Sequence, residues 1–380
     1  MSAWKIALSD LDYGREEEEA ALAVLRSKWL TMGAVALAFE EEFAAEIGVR
    51  HAIAVSNGTD ALLLSYLALG IGAGDEIVQP AVNFVAAANM AVRAGARPVF
   101  ADICSLEEPT IDPAAAAACI TPRTRAVVVM HYGGAPCRMN ELSEICKDRG
   151  VALIEDACHG VGGSGHGRKM GAWGDAAAFS FFSNKNLAVG EGGMIATDRD
   201  DLAAALRSLR SHGMTTLTWD RHRGHASTYD VARHGLNCRI DEIRSALGRE
   251  QLKKLGRNNA RRRELARQYH RALNETALVA RGWIFPRLGI DADEAAHHLM
   301  TAVAPDGQTR GEAMDRLKNA GIQTSIHYPF IPGFTAFETT PCDRAALANS
   351  NAFCDRVLTL PLHPLMSLED VQTVVAELQK

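Results

Sequence analysis

The stretch AAAFSFFSNKNLAVGEGG, residues 176–193, decides how the rest of the sequence is interpreted. It opens with an apolar run over residues 177–182, which predicts a buried strand. Lys185 stands just past the end of that strand, and glycines follow it. A lysine is ordinarily solvated, but mostly apolar or small neighbours favour a desolvated one, whose lowered pKa frees the amine for a Schiff base with a carbonyl. The stretch alone leaves both interpretations open.

Length and composition are those of an ordinary globular enzyme or binding protein. The 380 residues are 47% hydrophobic and 23% charged, enough for two or three structural units with ample core. The net charge of -6 and the lack of a basic stripe predict no nucleic-acid partner. Eight scattered cysteines without a CxxC pair, no apolar leader and no membrane-length run predict a cytoplasmic protein that does not enter the membrane.

Predicted strands and helices alternate through the first half of the chain, which indicates a mostly parallel, doubly wound sheet. Such sheets bind ligands at the carboxyl ends of their strands. The predicted strands are 51–55, 76–79, 97–100, 126–130, 151–155 and 177–182. The predicted helices are 15–28, 35–47, 59–69, 84–94, 113–119, 140–147 and 201–212.

The pattern changes after a polar loop at residues 213–234 and a long predicted helix at 241–273. Strands at 296–304 and 323–327 then mix with helices at 310–320, 345–356 and 368–378, which indicates a smaller α+β domain. We therefore predict an α/β fold with a large domain at 1–255 and a small C-terminal domain at 256–380. The N-terminal helix is assigned to the large domain, with packing against the small domain left open.

Two further segments carry candidate chemistry. SNGTDAL at residues 56–62 lies between a strand and a helix, where free amides and a hydroxyl form an anion site; a plain N-cap by Asn57 or Thr59 is the alternative. Asp156 ends a buried strand, where a carboxylate can pair with a protonated heterocycle nitrogen or simply cap the following loop.

Other motifs are weaker. Gly160, Gly162 and Gly165 fit G-x-G-x-x-G, but the residues that follow cannot sustain a helix and the expected acid is missing, so a dinucleotide site is not favoured. Histidines also invite a metal interpretation, but their spacing matches no standard ligand set, and we predict no metal. Those histidines are His212, His222 and His225, together with His297 and His298, which a strand would point to opposite faces.

Taken together, these pieces resemble one family over nearly the whole chain: the DegT/StrS sugar aminotransferases, which are fold-type I enzymes that use pyridoxal phosphate (PLP). The order and spacing of the matching segments are more specific than any one of them. The segments are 29–33, 56–62, 84–89, 131–134, 155–159, 179–186, 190–193, 235–239, 327–328 and 360–364. Cys238 departs from the aromatic residue often found there, and residues 182–184 vary a loosely constrained stretch.

The resemblance implies a role for each matching residue. Lys185 corresponds to the lysine that binds PLP and later moves the Cα proton, and Asp156 to the acid that keeps the pyridine nitrogen protonated. His159 occupies the position near the ring hydroxyl and completes the catalytic set. The cofactor site is Gly58, Thr59, Phe84, Asp156, His159, Ser180, Lys185 and Asn237, and the substrate site is Thr31, His327 and Tyr328.

The resemblance also implies the reaction and the assembly. We expect an aminotransferase that cycles between PLP and its amino form, PMP, and moves an amino group from L-glutamate to a nucleotide-linked keto sugar. A cyclitol aminotransferase that uses glutamine, an idle regulatory protein and an NAD oxidoreductase are the alternatives. Asn237 implies a homodimer with shared sites, because the matching asparagine reaches the phosphate of the partner's cofactor; capping of the next helix is the alternative.

Overall fold

The computed structural model describes residues 4–216, 228–289 and 295–380. Its centre is a seven-stranded sheet in the order β1-β9-β8-β5-β4-β2-β3. The strands are β1 (His51–Val55), β2 (Glu76–Pro80), β3 (Arg97–Ala101), β4 (Thr124–Met130), β5 (Ala152–Asp156), β8 (Ala176–Ser180) and β9 (Gly193–Thr197). Only β9 runs antiparallel to its neighbours, so the predicted mostly parallel α/β sheet is confirmed.

Helices cover both faces of this sheet, which explains why its strands are apolar nearly throughout. One face packs against α3 (Gly58–Ala68), α4 (Ala86–Arg93) and α7 (Asp200–Leu209). The other packs against α2 (Ala34–Ile47), α5 (Pro113–Cys119), α6 (Met139–Arg149) and the start of α8 (Glu242–Asn274). A separate hairpin is formed by two strands of two residues each, β6 (Ser164–Gly165) and β7 (Arg168–Lys169).

A second core lies in the C-terminal part. It joins the end of α8 to β10 (Met300–Val303), β11 (Val357–Leu360), α9 (Gly307–Asn319) and α11 (Leu368–Gln379), with α10 (Ala348–Arg356) nearby. Ile6 also belongs to this core, and its amide donates to the Gly321 carbonyl. The next N-terminal element, α1 (Arg15–Ser27), instead lies against α8, where Glu17 accepts from Gln251 and Lys254. The division at residue 255 stays a prediction.

Several predicted boundaries were wrong. The strand predicted at 296–304 is only Met300–Val303, and no strand forms at 323–327, where Ser325 makes an isolated bridge to Thr359. The partner of β10 is β11, which was not predicted because its four residues follow α10 without a turn residue. β9 was also missed, and the strand predicted to end at residue 182 ends at Ser180, where the chain turns towards Gly192.

A fully buried ion pair fixes α2 to the edge of the sheet. Arg210, just after α7, donates to the carboxylate of Glu40 on α2 and to the carbonyl of Ala54 on β1, 2.7 Å away. The same carboxylate accepts the Ala54 amide at 2.9 Å. Since a buried charge is costly without its partner, the three elements are held together by one set of contacts.

Within the described residues, no helix has the length and apolar character needed to cross a bilayer.

We expect Arg210→Met to lower the free energy of unfolding by about 3–5 kcal/mol, because Glu40 would be left charged and buried. Arg249→Met is the matched control: Arg249 pairs with Glu42 on the same helix, but both side chains are about one-third exposed. That loss should stay below about 1 kcal/mol. Urea denaturation of both variants measures the difference. Equal losses would show that the buried pair does not hold α2 in place.

Candidate active site

A cavity of about 340 Å³ lies at the carboxyl edge of the sheet, where β4, β5 and β8 end and α3 begins. Its lining contains all but two of the residues that the sequence predicts for the site. Those present are Gly58, Thr59, Phe84, Asp156, His159, Ser180, Lys185, His327 and Tyr328. The topology thus brings together side chains that lie as far apart in the sequence as Gly58 and Tyr328.

The start of α3 forms one wall of the cavity. Asn57 is the N-cap, and its side chain accepts the Asp60 amide at 2.8 Å. The proposed N-cap is therefore real, but it leaves the amides of Gly58 and Thr59 among the first-turn donors that the helix itself does not satisfy. A Cβ on Gly58 would lie 2.8 Å from the Ser180 Cβ and 3.1 Å from the Cys158 Sγ. The glycine keeps the space beside Ser180 open, and the cradle suits a phosphate.

Asp156 is buried at the end of β5, on the central strands of the sheet. Asn83 Nδ2 donates to its Oδ2 at 3.1 Å, and the Cys158 amide donates to its Oδ1 at 3.3 Å. These two donors orient the carboxylate as an acceptor at the cavity floor. Asn83 was missed from the sequence, although its place just after β2 at the same edge of the sheet could have indicated it.

Lys185 sits in the turn after β8, where its amide donates to the Phe182 carbonyl at 2.9 Å. Burial lowers the pKa of its amine, although the nearby Cys158 and Asp156 act in the opposite direction. Desolvation is the larger effect, as the apolar flanks predict. The neutral amine is the nucleophilic form, so the site contains a lysine suited to carbonyl chemistry.

His159 lies between the backbone and Tyr328. The Gly133 amide donates to its Nδ1 at 3.3 Å, and its Nε2 is 2.9 Å from the Tyr328 hydroxyl. The ring of His298 packs on it, with centroids 4.2 Å apart. Burial and the charge of Lys185 hold the pKa of His159 well below its ordinary value, so the ring is neutral.

His327 and Phe84 line the more open side. Thr359 Oγ1 is 2.8 Å from Nδ1 of His327, and the Tyr132 hydroxyl donates to the His327 carbonyl. Burial, followed by the charge of Lys185, lowers the pKa of His327 to about 4. Phe84 is exposed and its ring centroid lies 5.8 Å from that of Tyr328. An exposed aromatic ring at the cavity edge is available to stack on a planar ligand.

Thr31 and Asn237 are the two predicted residues that the structure leaves outside the cavity lining; both are exposed. Asn237 does not cap α8, because Asp241 does so by accepting the Arg244 amide at 2.8 Å. The capping alternative for Asn237 is therefore wrong.

The remaining motifs resolve into structural roles. No helix opens at Gly165, which lies in the β6–β7 hairpin, so the glycine motif lacks the context of a dinucleotide site. His297 and His298 are buried but not in a strand, which corrects that prediction, and His298 Nδ1 is 3.0 Å from Asn186 Oδ1. His222 and His225 lie outside the described residues. In the described part of the chain, no cluster of three metal-type ligands occurs.

Comparison with known proteins assigns the family. The model of the DegT/DnrJ/EryC1/StrS aminotransferase family matches residues 12–379. The chain belongs to this family. The aminotransferase class, the fold-type I architecture and the PLP cofactor predicted from the sequence are thereby confirmed.

Individual relatives agree with the assignment. The spore coat polysaccharide biosynthesis protein SpsC of Bacillus subtilis is 38% identical over 95% of this chain and 93% of its own length. The dTDP-4-dehydro-2,3,6-trideoxy-D-glucose 4-aminotransferase of Saccharopolyspora spinosa is 35% identical over 97% and 94%. The crystal structure of the aminotransferase TlmJ from Streptoalloteichus hindustanus superposes with a TM-score of 0.89, at 32% identity and 98% coverage of both chains.

The lowered pKa of Lys185 predicts an unusual pH dependence for this aminotransferase. The neutral fraction of an amine rises as pH passes through its pKa, so Lys185 in the folded apoprotein should react at lower pH than in the unfolded chain. Acylation by a small reagent over a pH series, followed by mass spectrometry of the Lys185 peptide, measures both midpoints. The urea-unfolded protein is the control. Coincident midpoints would contradict a desolvated Lys185.

Proposed function

We propose that this aminotransferase moves an amino group from L-glutamate to a nucleotide-linked keto sugar in the cytoplasm. The observation that carries the proposal is one cavity with three functions: the desolvated Lys185, the hydrogen-bonded carboxylate of Asp156 and an anion cradle at Gly58. The two curated relatives, one acting in polysaccharide biosynthesis and one on a dTDP-linked sugar, support a sugar as the acceptor. Eight free cysteines fit a reducing compartment.

The residues present fit the cofactor. The amides of Gly58 and Thr59 and the hydroxyl of Ser180 would hold its phosphate, and Asp156 would hold a proton on its ring nitrogen. When bound, PLP supplies a carbonyl for the amine and an electron sink for the carbanion. Phe84 would cover the open face of the ring.

Lys185 has two tasks in this scheme. As a neutral amine it would hold the cofactor, and when an incoming amine takes its place, the freed Nζ would act as the base that moves the proton of the substrate Cα. Because each half-reaction removes a proton from one carbon and delivers it to another, the lysine would act first as base and then as acid in both half-reactions. The burial that lowers its pKa raises the fraction of amine in the neutral, basic form.

The residues that line the cavity also indicate which kind of substrate could accept the amino group. His327, Asn184 and Glu191 offer polar groups of the kind that sugar hydroxyls need, and Lys185 is the one lysine or arginine among the lining residues of the described chain. A nucleotide diphosphate would therefore need cations from beyond this lining. This keeps the glutamine-dependent cyclitol aminotransferase as the runner-up, since an inosose carries no phosphate.

We expect keto-sugar nucleotides, and not inososes, to consume the PMP form of the protein, seen as loss of its absorbance. Lys185→Ala should turn over at least about a thousand times more slowly, because the proton at Cα loses its base, while still taking up PLP. Wild-type reaction with inososes alone would favour the cyclitol alternative. Full turnover by Lys185→Ala would remove the lysine from the mechanism, and no reaction with any ketone would favour an idle protein.

We further propose that the active unit is a homodimer with shared sites, in which Asn237 reaches the phosphate of the partner's cofactor. Asn237 is exposed, lies outside its own cavity lining and does not cap α8. Exposed apolar side chains that precede it in the chain, Val231 and Leu236 among them, are surface that a two-fold interface would cover.

Mixing two inactive variants tests the shared site. Lys185→Ala and Asn237→Asp each damage every site of their own homodimer, the second because the aspartate repels the phosphate. In a heterodimer one site keeps both native residues, so activity should rise above either parent, towards about one quarter of wild type after statistical exchange. Mass spectrometry of differently tagged subunits confirms that exchange has occurred. Exchange without recovery would place Asn237 in its own subunit's site or in no site.

A further inference from the structure

The hydrogen bonds of His159 determine where its proton lies. Gly133 offers a backbone N–H to Nδ1, and an N–H can only donate, so Nδ1 must carry a lone pair. The single proton of the neutral ring is then on Nε2. Nε2 is 2.9 Å from the Tyr328 hydroxyl, so His159 donates to the Tyr328 oxygen. Both ring nitrogens are engaged within the protein.

The proton of the Tyr328 hydroxyl is therefore not used in the hydrogen bond with His159. Since the oxygen already accepts from His159, its own O–H must point to a different acceptor. No acceptor for it occurs in the described part of the chain, and Tyr328 lines the cavity. Burial, together with the negative charge of Asp156, raises the pKa of Tyr328, so the hydroxyl keeps its proton.

Tyr328 is also held firmly in place. Its ring stacks on His159, with centroids 5.9 Å apart, and lies 5.8 Å from the ring of Phe84. The preceding carbonyl, of His327, accepts from the buried Tyr132 hydroxyl. The Gly133 amide that fixes His159 belongs to the turn Tyr132–Gly134, so one turn positions both partners.

We propose that Tyr328 is the hydrogen-bond donor to the ring hydroxyl oxygen of bound PLP, and that His159 is a positioning residue that acts through Tyr328. This differs from the direct role for His159 and the substrate-binding role for Tyr328 that the family resemblance implies. The cofactor is the favoured acceptor because Tyr328 lines the same cavity as Asp156, the residue assigned to the ring nitrogen, and Lys185. The inference rests on the proposed function only in taking PLP as the ligand.

The test measures binding of two ligands to apoproteins: PLP, and an analogue that lacks the ring hydroxyl. Wild type should prefer PLP by about ten- to one-hundredfold, the worth of one hydrogen bond to a charged oxygen. Tyr328→Phe should lose that preference while binding the analogue as wild type does. Equilibrium dialysis gives each dissociation constant without reference to activity, and thermal unfolding of each apoprotein checks folding. Tyr328→Met repeats the measurement if Tyr328→Phe fails to fold.

A double-mutant cycle with His159 separates positioning from contact. His159→Leu should lose most of the preference in the wild-type background and cost nothing more in Tyr328→Phe. His159→Gln should restore the preference to within about threefold, since an amide can accept from Gly133 and donate to Tyr328. Equal losses from His159→Leu in both backgrounds would show direct contact with the cofactor, and retained preference in Tyr328→Phe would overturn the proposal. Failure of wild type to bind PLP at all would instead count against the proposed function.

Discussion

Glu155 and Asp156, two adjacent carboxylates at the end of β5, are both buried and therefore need hydrogen-bond donors. The structure around the site depends on which donors each of them receives. Successive side chains of a strand point to opposite faces. Glu155 accepts from the amides of Gly171, Trp173 and Gly174 and from His131 Nε2 at 2.9 Å, so it is fully used in holding a loop. Among the described residues, Asp156 on the other face accepts from Asn83 and from the Cys158 amide, which leaves acceptor capacity for a ligand.

Glu155 and Lys185 show the same contrast between a charged group with many hydrogen-bond partners and one with few. Burial alone would raise the pKa of Glu155, but His131 and the loop amides lower it overall, so this carboxylate stays ionised and structural. Lys185 is half-buried, no comparable set of partners surrounds its amine among the described residues, and desolvation lowers its pKa. Holding such an amine away from water costs stability, which is typical of a group that has a function.

The sequence predicted the parallel sheet and most of the cavity lining, because strand-end positions in such a sheet converge by topology alone. Lys185 and Asp156 were found for this reason. The features that the sequence could not predict depend on the orientation of side chains and on pairing between strands that lie far apart in the sequence. Asn83 has no signal except its place after β2, the two engaged nitrogens of His159 depend on the Gly133 amide, and β11 becomes a strand only because β10 pairs with it. Thr31 and Asn237, assigned by resemblance, stay predictions.

The antiparallel direction of β9 has a consequence for chain entropy. A parallel neighbour of β8 would need a crossover that carries the chain back to the opposite edge of the sheet, usually with a helix. Here Gly193 at the start of β9 pairs with Ser180 at the end of β8, so the connecting segment 181–192 stays at the edge where the cavity lies. Phe181 closes this segment through bonds from its amide to the Gly192 carbonyl and to its carbonyl from the Val189 amide, each 2.8 Å long. The reactive amine is therefore carried on a segment tethered at both ends. Its conformational freedom is largely lost when the sheet forms, before any ligand arrives, and a bound ligand has correspondingly less ordering left to do.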